Sequence, residues 1–404
     1  MTQRTPYADR GPAEIHPVAR LPEEWKTCLA ELAERPFRAE QIFRWIHARG
    51  VFDPAKMTDL AAKVRSWLGE QPFAGFAEVE HVHRSADGTR KLLVRVGGGE
   101  KIETVLIPAH EGDVDADAAA ADTEDEPDGQ EPVAERAPAD RRADAQRARG
   151  LRVTQCISTQ VGCAMGCAFC ASGVAGLRRH LGAHEIVAQV MFARQHVAAD
   201  EELRNIVLMG MGEPLHNYEE TSRALRLLTH PLGLNFSPRR ITVSTVGLVP
   251  ELARLGADFG GQIGLAVSLH AADDETRLGL LPVDRKYPLS AVMDALRAYP
   301  LPRRRRIFVE YTLVAGKNDD LGDARKLSRL LRGLPVKINL IPMNPIAVSE
   351  LGPSPLDRVY AFQQVLIDAG YTCFVRRRRG DDVSAACGQL AILGAPPKVR
   401  ARRA

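Results

Sequence analysis

Three cysteines stand within eight residues near the middle of the chain, at Cys163, Cys167 and Cys170. Their C-x3-C-x2-C spacing suits three corners of a 4Fe–4S cube and leaves the fourth iron without a protein ligand, open to a substrate. The alternative is a structural zinc ion, which requires a fourth Cys or His at ligand spacing. Cys156 precedes the group on a predicted strand and fits that role poorly. The spacing therefore favours one iron–sulfur cluster with an open iron.

Polar groups also stand where predicted strands give way to loops. Glu213 follows one strand in the sequence MGMGEP, and Gly212 before it lets the backbone approach a ligand closely. Later strand ends supply further candidates for a small-molecule site: Ser244, Ser268, Leu269, His270 and Asn344. Polar groups at such positions can hold a ligand by neutral hydrogen bonds. The alternative for each is a helix cap or a local hydrogen bond, and His270 can equally be a buried, locally bonded histidine.

The fold must bring these residues together. Seven segments are predicted strands: 152–158, 204–209, 240–245, 263–268, 307–313, 336–341 and 371–376. Amphipathic stretches lie between them, and repeated strand–helix units indicate a parallel sheet. The predicted class is α/β, a partial (β/α)6 barrel. In such barrels the chemistry occupies the loops at the carboxyl ends of the strands, which is where the candidates stand.

The segments outside the barrel differ from it in periodicity and composition. Helical periodicity and strand alternation in the N-terminal part predict a small accessory domain and an antiparallel β extension. We divide the chain into a flexible arm (1–20), the helical accessory domain (21–72), the β extension (73–108), an acidic disordered insertion (109–150), the barrel (151–393) and a basic tail (394–404).

The net charge of +3 conceals two unlike parts. Residues 111–140 hold twelve acidic residues and one arginine, a charge of −11, so the other 374 residues carry +14. Four arginine-rich runs contribute to that basic body: Arg178–His180, Arg239–Arg240, Arg303–Arg306 and Arg376–Arg379. A single run is usually a solvated face, but four of them fit phosphate binding. Because no apolar run reaches the about 20 residues that span a bilayer, we expect a cytoplasmic protein without a membrane partner.

The cysteine motif resembles the signature of the radical S-adenosylmethionine (radical SAM) superfamily. In that signature an aromatic residue, here Phe169, precedes the last cysteine. The resemblance implies a 4Fe–4S cluster held by the three cysteines, with SAM on the open iron. It also implies that Gly212, Glu213 and the polar residues at the later strand ends bind SAM. The cofactor then supplies the radical chemistry, and the protein positions it.

Longer motifs narrow this resemblance to one family. The sequences IETVLIP (102–108), CISTQVGCAMGCAFC (156–170), MGMGEP (209–214), SLHA (268–271), KINLIPMNP (337–345) and GDDVSAACGQL (380–390) closely resemble the RlmN/Cfr family of radical SAM RNA methyltransferases, which modify adenine. The resemblance runs from about residue 22 to 393, interrupted only by the acidic insertion. Cys28 and Cys373 fall outside these motifs and are interpreted as small buried hydrophobic residues.

The resemblance implies a catalytic role for three residues. Cys387 receives a methyl group from one SAM, and a second SAM, cleaved at the cluster, converts that group to a radical that adds to adenine C2. Cys156 then attacks the Cys387 sulfur, which forms a transient disulfide and releases the methylated RNA. Glu103 matches the position of the base that removes the C2 proton. A surface-strand glutamate is usually inert, which is the alternative for Glu103.

The implied partners are 23S ribosomal RNA and tRNA, with the target adenine flipped out or single-stranded. A reductant such as flavodoxin or ferredoxin supplies electrons, and we expect a monomer. Two other interpretations stay open at this point. A Cfr-like enzyme would use the same cysteines to methylate adenine C8. A zinc-containing RNA-binding protein would have no methyltransferase activity.

Overall fold

The computed structural model describes residues 7–73, 75–109, 151–347 and 349–390. The acidic insertion beyond Ala109 and the basic tail lie outside the described residues. The helices are α1 (Pro22–Glu31), α2 (Arg38–Phe43), α3 (Ala62–Gly69), α4 (Ala171–Ala175), α5 (Ala183–Ala193), α6 (Tyr218–Thr229), α7 (Val249–Phe259), α8 (Asp274–Leu280), α9 (Leu289–Ala298), α10 (Leu321–Leu330) and α11 (Leu356–Asp368). The strands are β1 (Ala77–Arg84), β2 (Arg90–Val96), β3 (Lys101–Pro108), β4 (Leu151–Cys156), β5 (Gln160–Val161), β6 (Arg179–His180), β7 (Glu201–Leu208), β8 (Ile241–Thr245), β9 (Gly264–Ser268), β10 (Ile307–Leu313), β11 (Val336–Pro342) and β12 (Cys373–Val375).

Ten of the strands form one sheet in the order β1-β2-β3-β4-β7-β8-β9-β10-β11-β12. Every neighbouring pair from β4 to β12 is parallel, and at least one helix separates each strand from the next. Thr154 of β4 and Phe374 of β12 line the same cavity, so the parallel part of the sheet curls round on itself. The predicted α/β class and partial (β/α)6 barrel are confirmed, with β12 following the sixth strand–helix unit.

The barrel strands are buried on both faces, as parallel strands covered by helices are. In β10, Val309 and Tyr311 on one face have no exposed surface, and Glu310 and Thr312 on the other face are only 3% and 7% exposed. Helix starts and ends follow local chemistry. Asp273 caps α8 by accepting a hydrogen bond from the Thr276 N–H at 2.9 Å, a typical stabilising arrangement. None of the helices in the described ranges has the length and apolar content needed to cross a membrane.

The N-terminal segment differs from the flexible arm that we predicted for residues 1–20. From Tyr7 onward it packs against the barrel helices, and Val18 and Ala19 have no exposed surface. The Tyr7 hydroxyl donates a hydrogen bond to Glu220 of α6 at 2.5 Å, and Arg10 pairs with the same carboxylate at 3.1 Å. The apolar residues within this polar stretch are too few to give a periodic signal, yet they are enough to anchor it.

The β extension continues the barrel sheet, because β3 pairs antiparallel with β4. Its β1–β2 hairpin also holds the segment that follows β12, residues 376–390, which we call the Cys387 loop. The Asp87 carboxylate accepts a hydrogen bond from the Gly380 N–H at 2.9 Å, and the Lys91 ammonium donates one to the Ser384 carbonyl at 3.3 Å. Gly380 has a φ of 63°, and a Cβ there would lie 2.9 Å from a side-chain carbon of Thr89. The hairpin and the Cys387 loop therefore fit together closely.

Candidate active site

The three clustered cysteines lie in the loop between β5 and α4 and line one cavity, which we call the thiol cavity. Cys163 and Cys167 are only 8% and 9% exposed. Burial raises the pKa of Cys163 to about 12. Burial and the neighbouring thiols raise the pKa of Cys167 well above its ordinary value. Bound iron would offset this cost, since a coordinating thiol is deprotonated outright. The donor set therefore fits an iron–sulfur cluster.

The side chains of the site do not form the ligand set of a single metal ion. In the part of the chain that the structure describes, no three His, Cys, Asp or Glu side chains gather as ligands of one metal ion. A cubane cluster takes its thiolates at separate iron corners, so its ligands need not converge on one point. The three thiols of the cavity suit that arrangement.

Glu213 lies against the thiol cavity with 3% of its surface exposed. One carboxylate oxygen accepts a hydrogen bond from the Leu215 N–H at 3.0 Å, and the other accepts one from the Val246 N–H at 2.9 Å. Burial raises the pKa of Glu213 to about 7. Gly212 has a φ of 105°, and a Cβ there would lie 2.6 Å from Gln160. This turn therefore requires glycine, and Glu213 ties the β7 loop to the β8 loop.

Most of the predicted strand-end residues meet at the same cavity. Ser244, Ser268, His270 and Asn344 line it together with the three thiols, Gly212 and Glu213. The structure does not place Leu269 there: its side chain has no exposed surface, and its N–H donates to the Glu310 carbonyl at 3.1 Å. Alternation along a strand end explains the difference, because successive side chains point to opposite faces.

The hydrogen bonds of His270 and Asn344 within the protein show which of their polar atoms are already used. The His270 Nδ1 accepts a hydrogen bond from the Thr312 N–H at 2.9 Å, and burial lowers the pKa of His270 to about 3, so the ring is neutral. The Asn344 amide donates to the Cys387 carbonyl at 2.9 Å, whereas its buried oxygen has no hydrogen-bond partner among the described atoms. That oxygen is an acceptor available to a bound cofactor.

Cys387 lines the thiol cavity and lies near Cys156. All seven cysteines are free, so Cys156 and Cys387, between which the resemblance implies a transient disulfide, are not joined in this structure. Burial, with a smaller contribution from the nearby Cys387 thiol, raises the pKa of Cys156 to about 12. Cys387 also raises the pKa of Cys170, after the larger effect of burial. The half-buried Cys387 is therefore close to both the strand thiol and a thiol of the cluster motif.

Glu103 is placed differently from the other predicted catalytic residues. Its carboxylate forms an ion pair with Lys91 at 2.9 Å, and both side chains are almost completely buried. The lining of the thiol cavity and of the second cavity described below does not include Glu103. Lys91 nevertheless connects it to the Cys387 loop through Ser384. Sequence reasoning missed Lys91, which directly follows Arg90 at the start of β2 and gave no separate signal.

Replacing Lys91 by methionine is expected to destabilise the fold by about 3–5 kcal/mol, because it removes the cation of a buried ion pair. Urea denaturation followed by circular dichroism measures the change. The double variant Lys91→Met/Glu103→Gln removes both charges and should recover part of the loss. Equal stabilities for the Lys91→Met variant and the unaltered protein would contradict a stabilising role for this pair.

Arg277 is a second residue that the sequence did not reveal. It has no exposed surface and forms an ion pair with Asp284 at 2.6 Å. Its guanidinium donates to the carbonyls of Val246 at 2.7 Å and Leu269 at 3.2 Å. These carbonyls follow β8 and β9, so Arg277 fixes the loop that follows Ser244 and the loop that carries His270. Such a role depends on contacts between segments far apart in the chain, which local patterns do not show.

A second cavity, which we call the seam cavity, lies between the end of β3 and β12 and extends into the barrel. Arg376–Arg379 line it, as do Pro108, Thr154 and Phe374. Six residues line both cavities: Met209, Glu310, Ile341, Asn344, Arg376 and Cys387. Cys387 thus stands at the junction between a thiol-lined cavity and an arginine-lined one.

The four arginine-rich runs do not share one place. Arg376–Arg379 follow β12 and lie at the carboxyl edge of the barrel, beside the site. Arg239–Arg240 and Arg303–Arg306 precede β8 and β10 and therefore lie at the opposite edge. Arg178 and Arg179 form ion pairs with glutamates of the chain, at 2.9 and 2.8 Å. One run of the four is therefore positioned next to the cavities.

Comparison with known proteins agrees with this geometry. A model of the radical SAM superfamily matches residues 157–330, and a model described as the ribosomal RNA large subunit methyltransferase N-terminal domain matches residues 22–73. A protein of Sorangium cellulosum named dual-specificity RNA methyltransferase RlmN is 65% identical over 391 residues, which cover 96% of this chain and 98% of that protein. The chain belongs to the RlmN family.

Further relatives agree with that assignment. The RlmN of Geobacter sulfurreducens is 42% identical to this chain, and the match covers 91% of this chain and 89% of that protein. A radical SAM methyltransferase from Sphaerobacter thermophilus, known from a crystal structure, has 39% sequence identity to this chain. The two structures superpose with a TM-score of 0.78, and the match covers 93% of this chain and 99% of that one. The family resemblance found in the motifs is confirmed. As a radical SAM family, RlmN proteins take a 4Fe–4S cluster and SAM, which agrees with the thiol cavity.

Proposed function

We propose that this chain is a radical SAM RNA methyltransferase that methylates C2 of one adenine in 23S ribosomal RNA and C2 of the adenine 3′ of the anticodon in some tRNAs. One observation carries the proposal: Cys387 lines both the thiol cavity and the seam cavity. A methyl carrier must meet the cofactor on one side and the base on the other. Among the described residues, no other thiol or hydroxyl side chain lines both of these cavities.

The chemistry explains why both cavities are needed. Adenine C2 is electron-poor, so an ordinary polar methyl transfer to it meets a high barrier, whereas a carbon radical can add to it. Bound at Cys163, Cys167 and Cys170, the cluster supplies SAM-derived radical chemistry. Cys387 takes the methyl group of one SAM on its sulfur. That methyl group loses a hydrogen atom to the radical that the second SAM would supply. Cys387 then presents a carbon radical to C2 and becomes covalently linked to the RNA.

Cys156 and Glu103 complete the proposed reaction. Glu103, which Lys91 holds through an ion pair, accepts the C2 proton. The unpaired electron of the adduct passes to an acceptor, a role that the bound cluster would fill. Cys156 then attacks the Cys387 sulfur and forms a transient disulfide between the two cysteines. The bond from that sulfur to the methylene carbon breaks, its electron pair stays on the carbon, and the carbon takes up a proton to become the methyl group of the base. The support for this step is that the two thiols are close enough to influence each other electrostatically.

The proposed partners are RNA, SAM and an electron donor. Arg376–Arg379 bind RNA phosphates beside the flipped target adenine. Residues 21–72 act as an RNA-binding accessory domain, which the match of residues 22–73 supports. Gly212, Glu213, Ser244, Ser268, His270 and Asn344 bind SAM, two of which are consumed per turnover. A flavodoxin or ferredoxin supplies electrons to the monomeric protein in the cytoplasm.

Anaerobic reconstitution with iron and sulfide tests the proposal. We expect a brown protein that absorbs near 400 nm and converts adenine in a 23S ribosomal RNA fragment to 2-methyladenosine when SAM and a strong reductant are present. Mass spectrometry of the digested RNA measures the product, and a tRNA transcript tests the second substrate. The matched control is Cys28→Ala, since Cys28 lies in α1, away from the cavities.

Other outcomes of this experiment would favour the alternatives. Formation of 8-methyladenosine would replace the C2 assignment by Cfr-like methylation at C8, which uses the same cysteines. A colourless protein with one zinc ion and no cleavage of SAM would favour a zinc-containing RNA-binding protein. These products differ in chromatographic position and metal content, so one preparation separates all three.

A further inference from the structure

A row of polar side chains crosses the inner face of the barrel. Ser268 of β9, Glu310 of β10 and Asn339 of β11 are paired in register across three neighbouring parallel strands. Residues paired in this way point to the same face of a sheet. Ser268 lines the thiol cavity, Asn339 lines the seam cavity, and Glu310 between them lines both. The row therefore connects the two cavities through the barrel interior.

Glu310 is the unusual member of the row. It is 3% exposed, and one of its oxygens, Oε1, accepts a hydrogen bond from the Asn339 amide at 2.9 Å. Its other oxygen, Oε2, is buried and has no hydrogen-bond partner among the described atoms. Burial raises the pKa of Glu310, and the charge of Arg376 opposes that effect. A buried carboxylate oxygen without a partner is costly and is usually explained by a missing water, ion or ligand.

The surroundings limit what could satisfy this oxygen. Glu310 lines the cavities beside Met209, Ile341 and Arg376, so the carboxylate stands among apolar walls with one cation nearby. An acceptor in such a place selects a ligand with an N–H or O–H donor and otherwise apolar faces. An adenosine has this character, because its flat base is apolar on both faces while its amino group and ribose hydroxyls are donors.

We propose that Glu310 is a binding residue that accepts, through Oε2, a hydrogen bond from an amino or hydroxyl group of an adenosine held in the barrel. This inference rests on the proposed function, which brings two adenosines to the barrel: that of SAM and the target nucleoside of the RNA. Ser268 at one end of the row and the arginines of the seam cavity at the other are compatible with either source.

The test compares Glu310→Gln with the unaltered holoenzyme. The substitution keeps the size of the side chain but turns one of the two acceptors into a donor. We expect a loss of at least about tenfold in affinity for one adenosine-bearing ligand, the effect of one lost hydrogen bond to a buried charged group. Anaerobic equilibrium dialysis measures the Kd for SAM, and a filter-binding assay measures the Kd for a 23S ribosomal RNA fragment. The absorbance near 400 nm and the circular dichroism spectrum verify that cluster and fold are retained.

Each result decides the inference. A weaker affinity for SAM alone assigns Glu310 to the cofactor, and a weaker affinity for RNA alone assigns it to the target adenosine. Unchanged affinities for both would overturn the inference. The matched control is Glu201→Gln. The Glu201 side chain is also poorly exposed, but it pairs with Arg90 at the start of β7 and lines neither cavity. If Glu310→Gln does not fold, Glu310→Asp replaces it, which keeps the acceptor but withdraws it by one methylene group.

The same measurements separate this inference from the proposed function. If the unaltered holoenzyme binds neither SAM nor RNA, the proposed function fails. If it binds both and methylates RNA while Glu310→Gln binds both equally well, only the role of Glu310 fails.

Discussion

Replacing Cys387 by alanine should abolish methyl transfer to RNA. The side chain lies at the junction of the two cavities, and its carbonyl is held by the Asn344 amide, so the backbone of the loop remains anchored when the sulfur is removed. Without that sulfur no group can carry the methyl from the thiol cavity to the seam cavity. We expect a loss of about 10⁴-fold or more, as when the nucleophile of a covalent catalyst is deleted. Incorporation of labelled methyl groups into an RNA fragment measures it.

The cluster provides the control for this result. Cys387→Ala retains Cys163, Cys167 and Cys170, so its iron content and its absorbance near 400 nm should match those of the unaltered protein. Cys28→Ala, which changes a buried thiol of α1, should transfer methyl groups normally. Substantial methylation by Cys387→Ala would mean that another group carries the methyl, and the role assigned to Cys387 would be wrong.

Replacing Cys156 by alanine should cause a covalent protein–RNA complex to accumulate. In the proposed reaction Cys156 acts only after the bond between Cys387 and adenine has formed. Its removal therefore leaves the earlier steps intact and blocks release. A single turnover with labelled RNA, followed by denaturing gel electrophoresis, should show most of the reacted RNA at the position of the protein. Nuclease digestion and mass spectrometry should locate the adduct at Cys387.

Two further variants make this experiment decisive. The double variant Cys156→Ala/Cys387→Ala should form no adduct, because the attachment point is missing. Cys373→Ala changes another buried thiol, on β12, and should release its product normally. Normal turnover by Cys156→Ala would show that a different group resolves the adduct.

The sequence predicted the barrel and most of the thiol cavity because these depend on local patterns. Cysteine spacing is read within one loop, and the rule that loops at the carboxyl ends of parallel strands meet brought Ser244, Ser268, His270 and Asn344 together. Leu269 was included with its neighbours, and the structure instead buries it in the core. Whether the Leu269 side chain reaches the cavity depends on the face of the sheet to which it points. The sequence does not show this face at the position where a strand becomes a loop.

Long-range contacts between single residues were not predictable. Lys91 and Arg277 act by ion pairs and by hydrogen bonds to carbonyls, whose positions only the folded chain defines. Glu310 was a lone charge in the apolar strand IFVEYTL, which is a signal, but nothing in the sequence paired it with Asn339. The arginine runs show the same limit, since runs of similar composition lie at opposite edges of the barrel.

The contact between the β1–β2 hairpin and the Cys387 loop has a consequence for biosynthesis. Asp87 and Gly380 are 293 residues apart, so a ribosome makes every strand of the barrel after the hairpin and before the loop. Until the Cys387 loop is synthesised, the hairpin lacks its partner in this contact. Cys387 is synthesised only after every strand of the barrel, whereas Cys163, Cys167 and Cys170 precede the strands from β7 to β12. A partly synthesised chain can therefore hold the three thiols of the cluster motif before it has the thiol at the junction of the two cavities.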